Sequence, residues 1–167
     1  MAFTFQQLGI DGVARWMVTA ERYRSELGRV MNTLYRAGLF VQDKFLSRVA
    51  ALESMHMTWS GKTGRNSLHG RLTPLAKQLG GDVFEKLVPR NKRSSWVQKV
   101  VDERHDIAHH LKGSSHGNAE RFFLSETVYW LFVICMLREA DAPDACFEHL
   151  ARNPRFVWRA EQIATIM

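Results

Sequence analysis

Apolar residues recur every three or four positions along almost the whole of this 167-residue chain, and only four prolines interrupt them. On a helix that turns about 100° per residue, such spacing gathers the apolar side chains onto one face. Strand-type alternation is absent, and so is any internal repeat. The pattern dictates an all-α helical bundle of about five main helices followed by short C-terminal helices.

The first helix is expected from near Asp11, as N-cap, to Arg36, with Gly38 ending it. A second covers Phe40 to Trp59, and a polar loop follows from Ser60 to Ser67. A third starts near Leu68 and ends at Gly80-Gly81, with Pro74 inside it as a kink. Asp82 to Leu87 suits a short helical turn, and Pro89 to Lys92 a basic loop. Ser94 or Ser95 is the candidate cap of a fourth helix that fades near Lys112-Gly113. After a small-residue loop, Gly113 to Asn118, the fifth helix runs from Ala119 to Ala140. It is the most apolar and belongs at the centre of the bundle. Pro143 to Ala151 and Arg155 to Ile166 form two short closing helices.

This length suits one domain spanning residues 1–167, with 1–10 as a linker remnant or flexible N-terminus. A hydrophobic content of 46% excludes a mainly disordered chain. The longest apolar run, Val128 to Leu137, is about half of the roughly 20 residues that a membrane span needs, so no membrane role is expected. Met1 to Gln7 has neither a basic start nor an apolar core, and no secretory leader is expected. Two cysteines, Cys135 and Cys146, make no disulfide framework, which suits a reduced, cytoplasmic compartment.

The net charge of +6 is concentrated in one place. Between Lys62 and Lys99 stand nine basic residues and two acids, a local balance of +7 that accounts for the whole excess. A field of that kind draws a polyanion such as RNA, with Arg90, Lys92, Arg93 and Lys99 as candidate RNA-binding residues. A plain solvated surface is the alternative.

The fourth helix carries the densest chemistry. With Val97 as origin, Trp96, Ile107, Val100, Leu111, Ala108 and Val101 share an arc of about 140°. Arg104 falls near its middle, at about 340°. An unpaired ion taken out of water costs several kcal/mol. Arg104 is therefore expected either to pair with an internal carboxylate, Glu53 or Glu126, or to face a cleft or interface that an anion can enter. His105, His109 and Asp102 share another arc. His110 pairs by i,i+4 spacing with Asp106. A carboxylate near an imidazole orients the ring and suits it to proton exchange near neutral pH. Arg104 and His109 stand about 140° apart on an ideal helix, so a second protomer is a natural source of the other half of a site. The histidines with Asp102, Asp106 and His116 also offer donors for a metal. However, the spacing lacks the glutamate of the zinc-protease helix, and no cysteine pair lies near, so no metal or other cofactor is expected.

The string Arg104-His105-Asp106-Ile107-Ala108-His109 resembles the signature of the HEPN family: arginine, a polar residue, three variable positions and histidine. Its surroundings resemble the Apea-like branch, with Ala51-Leu52-Glu53 in a long early helix, then SLHGRLTPLAKQLG, then WVQKVVDERHDIAHH, then an apolar helix. The order covers roughly Trp16 to Leu150. The resemblance implies a dimerising helical bundle with the motif helices lining a shared cleft. It implies metal-independent RNA cleavage, often within toxin–antitoxin or antiviral defence systems, where an antitoxin or other regulatory protein is a further partner. In that scheme Arg104 binds the scissile phosphate and His109 is general base or acid, with His110 as the reserve candidate. His105 stands where asparagine is commoner and positions RNA or the arginine. Asp102 and Asp106 give support. The alternative implied is a non-catalytic module using the same cleft to bind RNA, a nucleotide or a protein.

Overall fold

A computed structural model describes residues 4–61, 64, 66–109 and 117–165, and every regular element among them is helical. The expected N-terminal helix is two, α1 (Phe5–Arg22) and α2 (Arg24–Tyr35). A short turn opens α1, where the Gln7 side chain accepts a hydrogen bond from the Thr4 N–H at 2.8 Å. Gly9, at φ 69° and ψ 172°, then breaks the helix, so the long run begins close to the expected Asp11. Tyr23 breaks the run at φ −108° and ψ 27°. Its ring is fully buried, and its hydroxyl donates to Glu139 Oε2 at 2.6 Å. Burial first, and this bond next, hold the phenol well above the usual tyrosine range.

Helix α3 (Val41–Ser60) matches the expected second helix within a residue at each end. Pro74 does more than kink its helix. Helix α4 (Leu68–Pro74), capped by Ser67 Oγ accepting from the Gly70 N–H at 3.1 Å, gives way to a π-helical turn at Leu75–Leu79. The Gly80 N–H closes that turn on the Leu75 carbonyl at 2.9 Å. Gly80 also explains how closely this turn approaches its neighbours: a Cβ there would stand 2.7 Å from the Ala76 carbonyl and 3.2 Å from Leu131 Cδ1.

Helix α5 (Gly81–Glu85) and a 3-10 turn at Arg90–Lys92 lead into α6 (Arg93–Ala108), the motif helix. Neither Ser94 nor Ser95 caps it; Lys92 occupies the cap position with no side-chain bond, and helical geometry ends at Ala108 rather than near Lys112. Lys62, Arg65, His110 and His116 lie outside the described residues. Helices α7 (Asn118–Glu139), α8 (Asp144–Arg152) and α9 (Pro154–Ala164) follow as expected within a residue or two.

Helix α7 is the centre of the molecule. It buries Leu124, Val128, Leu131, Phe132, Ile134 and Leu137, and its most extensive partner is α3. Each such side chain contributes about 1.5–3 kcal/mol when fully buried. Buried Arg48 ties three helices together by donating to Thr33 Oγ1 at 3.1 Å, Ser125 Oγ at 3.0 Å and Glu126 Oε1 at 2.8 Å. Helix α1 is stitched to the far end of α7, where Arg15 donates to the carbonyls of Ala140 and Asp141 and Thr19 to that of Glu139. The final helix packs on its own bundle: Phe156 and Ile163 are fully buried, and Phe156 meets Trp130 edge-on at 5.1 Å. Among the described residues no helix is long and apolar enough to cross a membrane.

Both cysteines are buried and free. Burial raises the thiol pKa of each, that of Cys135 most strongly. A thiol-reactive dye is expected to label neither at a measurable rate in native protein at pH 8, and both after denaturation. Fast native labelling of Cys135 would contradict the packing of α7.

Candidate active site

The motif helix is fixed by one face. Trp96, Val97, Val100 and Glu103 are buried. Trp96 donates its indole N–H to Thr127 Oγ1 at 2.8 Å and meets Phe84 edge-on at 5.2 Å. Glu103, with no exposed surface, forms an ion pair and hydrogen bond with Arg121 Nε in the first turn of α7. This pair couples the last turns of α6 to the start of the next helix.

Arg104 comes next in the chain and points elsewhere. It is exposed, and no described carboxylate pairs with it. The two glutamates considered as internal partners are engaged by other arginines. Glu53 lies 3.8 Å from Arg71, while Glu126 is held by Arg48 at 2.8 Å and Arg159 at 3.1 Å. The expected seat of Arg104 on the oily side of its helix is thus corrected. The packed arc, from Glu103 through Trp96, Val100 and Arg93 to Val97, still includes the angle of Arg104. Arg104 is exposed because it lies past Glu103, the last buried residue of the helix. Ala108, counted within the expected apolar arc, is exposed. Beyond Glu103 the helix emerges beside the start of α3. There Phe40, Gln42, Leu46, Ile107 and Ala108 line an open groove of about 540 Å³.

His105 and His109 are also exposed and lie ring against ring, their centroids 4.4 Å apart with planes tilted by 50°. His109 ends the helix, its N–H donating to the His105 carbonyl at 3.0 Å. Asp102 does not orient either ring: the Gln98 amide donates to its Oδ1 at 2.8 Å. Asp106 is half-buried. Among the described residues no group of three or more His, Cys, Asp or Glu side chains is placed to hold a metal ion. Of the four basic candidates, Arg90 is bound by Asp82 at 2.5 Å and Glu85 at 2.7 Å, Lys99 lies 3.3 Å from Glu120, Lys92 is exposed and Arg93 is buried.

With an arginine and two histidines exposed together at the end of α6, the comparison with protein families is decisive. The model of the Apea-like HEPN family matches residues 30–146, more than two thirds of the chain. The chain belongs to the Apea-like HEPN family. No curated protein and no solved structure matches it. The HEPN match runs from α2 through the start of α8, so the motif helix and the central α3 and α7 lie wholly inside it. HEPN membership supports a nuclease-type, RNA-related module in general. The buried pair of Glu103 and Arg121, which fixes the motif helix, is not among the residues expected from the sequence. The signal was present, because Glu103 falls about 20° from Trp96 on the helical wheel.

Proposed function

We propose that this protein is a metal-independent endoribonuclease, active as a homodimer whose two motif helices line one cleft. The observation that carries the reading is Arg104: an exposed guanidinium with no described carboxylate partner, on the same last turns of α6 as the adjoining His105 and His109 rings. A delocalised cation of this geometry recognises a phosphodiester through two parallel N–H donors and stabilises the charge that grows on it. His109 accepts the proton of the ribose 2′-hydroxyl. The new O2′–P bond forms as the P–O5′ bond breaks. The leaving 5′-oxygen takes a proton from a histidine of the same pair or its counterpart across the dimer, leaving a 2′,3′-cyclic phosphate. His105, packed on His109, positions it. His110 is the reserve candidate for the same role.

Because the nucleophile is the 2′-hydroxyl, DNA of the same sequence is expected to resist. His109→Ala is expected to lower the cleavage rate of single-stranded RNA by about 100- to 10,000-fold, and His105→Ala by less, with EDTA leaving the wild-type rate unchanged. The check is initial rates on a labelled oligoribonucleotide, with the 3′ ends of the products identified. Wild-type protein that binds this RNA without cutting it would replace the nuclease reading with that of a non-catalytic RNA-binding module. A role as a toxin-like or defence nuclease restrained by a partner protein fits this chemistry, since an unrestrained RNase harms its own cell.

A further inference from the structure

Four of the described arginines are buried: Arg48, Arg71, Arg93 and Arg121. Three have a glutamate beside them. Arg93, only 7% exposed, has none among the described residues. The acids close to it in sequence, Asp82 and Glu85, are drawn to Arg90 instead. Arg93 Nη2 donates to the Gly81 carbonyl at 2.6 Å, but its Nε has no partner. Gly81 presents that carbonyl from a left-handed conformation, φ +55°, that other residues rarely adopt. A buried cation without a counter-charge costs several kcal/mol, and burial accordingly pushes this guanidinium's pKa down.

The surroundings are built to receive an anion. Arg93 and Lys77 both line two adjoining hollows, one of about 350 Å³ shared with Arg90 and with Asp82, whose charge Arg90 offsets, and one of about 140 Å³ shared with His69, Thr73 and Ser94. Arg93 opens α6, a helix of 16 residues, so the positive end of its dipole lies at the same place.

We propose that the head of α6 is a phosphate-binding site, organised by Arg93 together with Lys77 and the positive end of the helix dipole. The site is separate from the motif, and it needs only that a phosphate reach the helix head. A phosphodiester of an RNA strand and a free phosphate monoester present the same chemistry to it. Arg93 and Arg104 stand about 16 Å apart along α6, and the face between them is buried by Trp96, Val97 and Val100, so a strand that reaches both passes around that packed stretch.

The test is thermal unfolding in inorganic phosphate, or in AMP, against chloride at equal ionic strength. Wild-type protein should gain about 3–6 °C at ten times the Kd of whichever ligand binds. Arg93→Met keeps the apolar stem and removes the charge, and should abolish the gain. Lys77→Met, a change at an exposed position, should reduce it and serves if Arg93→Met folds poorly. The source is read from a non-cleaved single-stranded RNA bound to the His109→Ala protein. If a strand phosphate occupies the site, adding Arg93→Met lowers the slope of log affinity against log salt by about 0.7. An unchanged slope together with a response to AMP assigns the site to a free monoester. Wild-type protein indifferent to phosphate, AMP and RNA alike, or variants that respond as wild type does, would overturn the proposal. Because the readout is binding, absence of RNA cleavage would sink the nuclease reading and leave this one standing.

Discussion

Arg104→Ala is expected to lower RNA cleavage by at least about 100- to 1,000-fold, the usual cost of removing a donor aimed at developing charge. The same change should leave the melting temperature within about 2 °C of wild type, because a surface substitution away from packed features rarely exceeds about 0.5 kcal/mol. The separation of the two effects follows from the geometry. Arg104 is exposed and engages no described carboxylate, so its removal breaks no bond within the fold. Arg104→Lys should recover only part of the rate, since an ammonium keeps the charge without the paired donors of a guanidinium. Initial cleavage rates and melting curves for the three proteins decide the matter. Loss of rate accompanied by a large fall in melting temperature would mean that Arg104 is structural.

The neighbouring residue should behave in the opposite way. Glu103→Ala leaves the buried guanidinium of Arg121 without its counter-charge. Breaking a buried pair from one side typically costs about 3–5 kcal/mol, here a fall in melting temperature of roughly 10 °C or more. Replacing both partners, Glu103→Leu with Arg121→Met, should restore most of the loss, since two apolar side chains remove both desolvation costs together. Any fall in cleavage by Glu103→Ala should then follow the loss of folded protein. Equilibrium denaturation of the two single variants and the double variant checks this. A double variant as unstable as the sum of the singles would show that the pair is not the unit that matters.

These adjacent residues also show what the sequence could and could not disclose. Helical spacing around Phe45, Leu52, Leu131 and Leu137 was enough to place α3 and α7, because a core face repeats over many turns and averages out single exceptions. The motif itself was legible from residue identity: Arg104, His105 and His109 fall together on the exposed end of α6. Which charged residue turns inward was not legible from apolar residues alone. An arc drawn through those side chains leaves out a buried glutamate by construction. At the end of a helix, moreover, the neighbours that bury a face come from distant sequence; here they are the first turns of α3 and α7. The split at Tyr23 was hidden for a related reason, since that tyrosine is anchored by Glu139, more than one hundred residues away. Pro74 was read as a kink; the π turn that follows it ends at Gly80, whose missing Cβ permits a close approach to Leu131, about fifty residues away in sequence.

The stitching of α1 onto the last carbonyls of α7 sets a boundary of another kind. Residues 30–146 mark what this protein shares with its family, yet Arg15, Thr19 and Tyr23 close off the C-terminal end of the central helix from outside that stretch. Heritage and cooperativity therefore have different edges in this molecule: a piece cut to the ancestral outline would keep the motif helix and lose the clasp on its main beam.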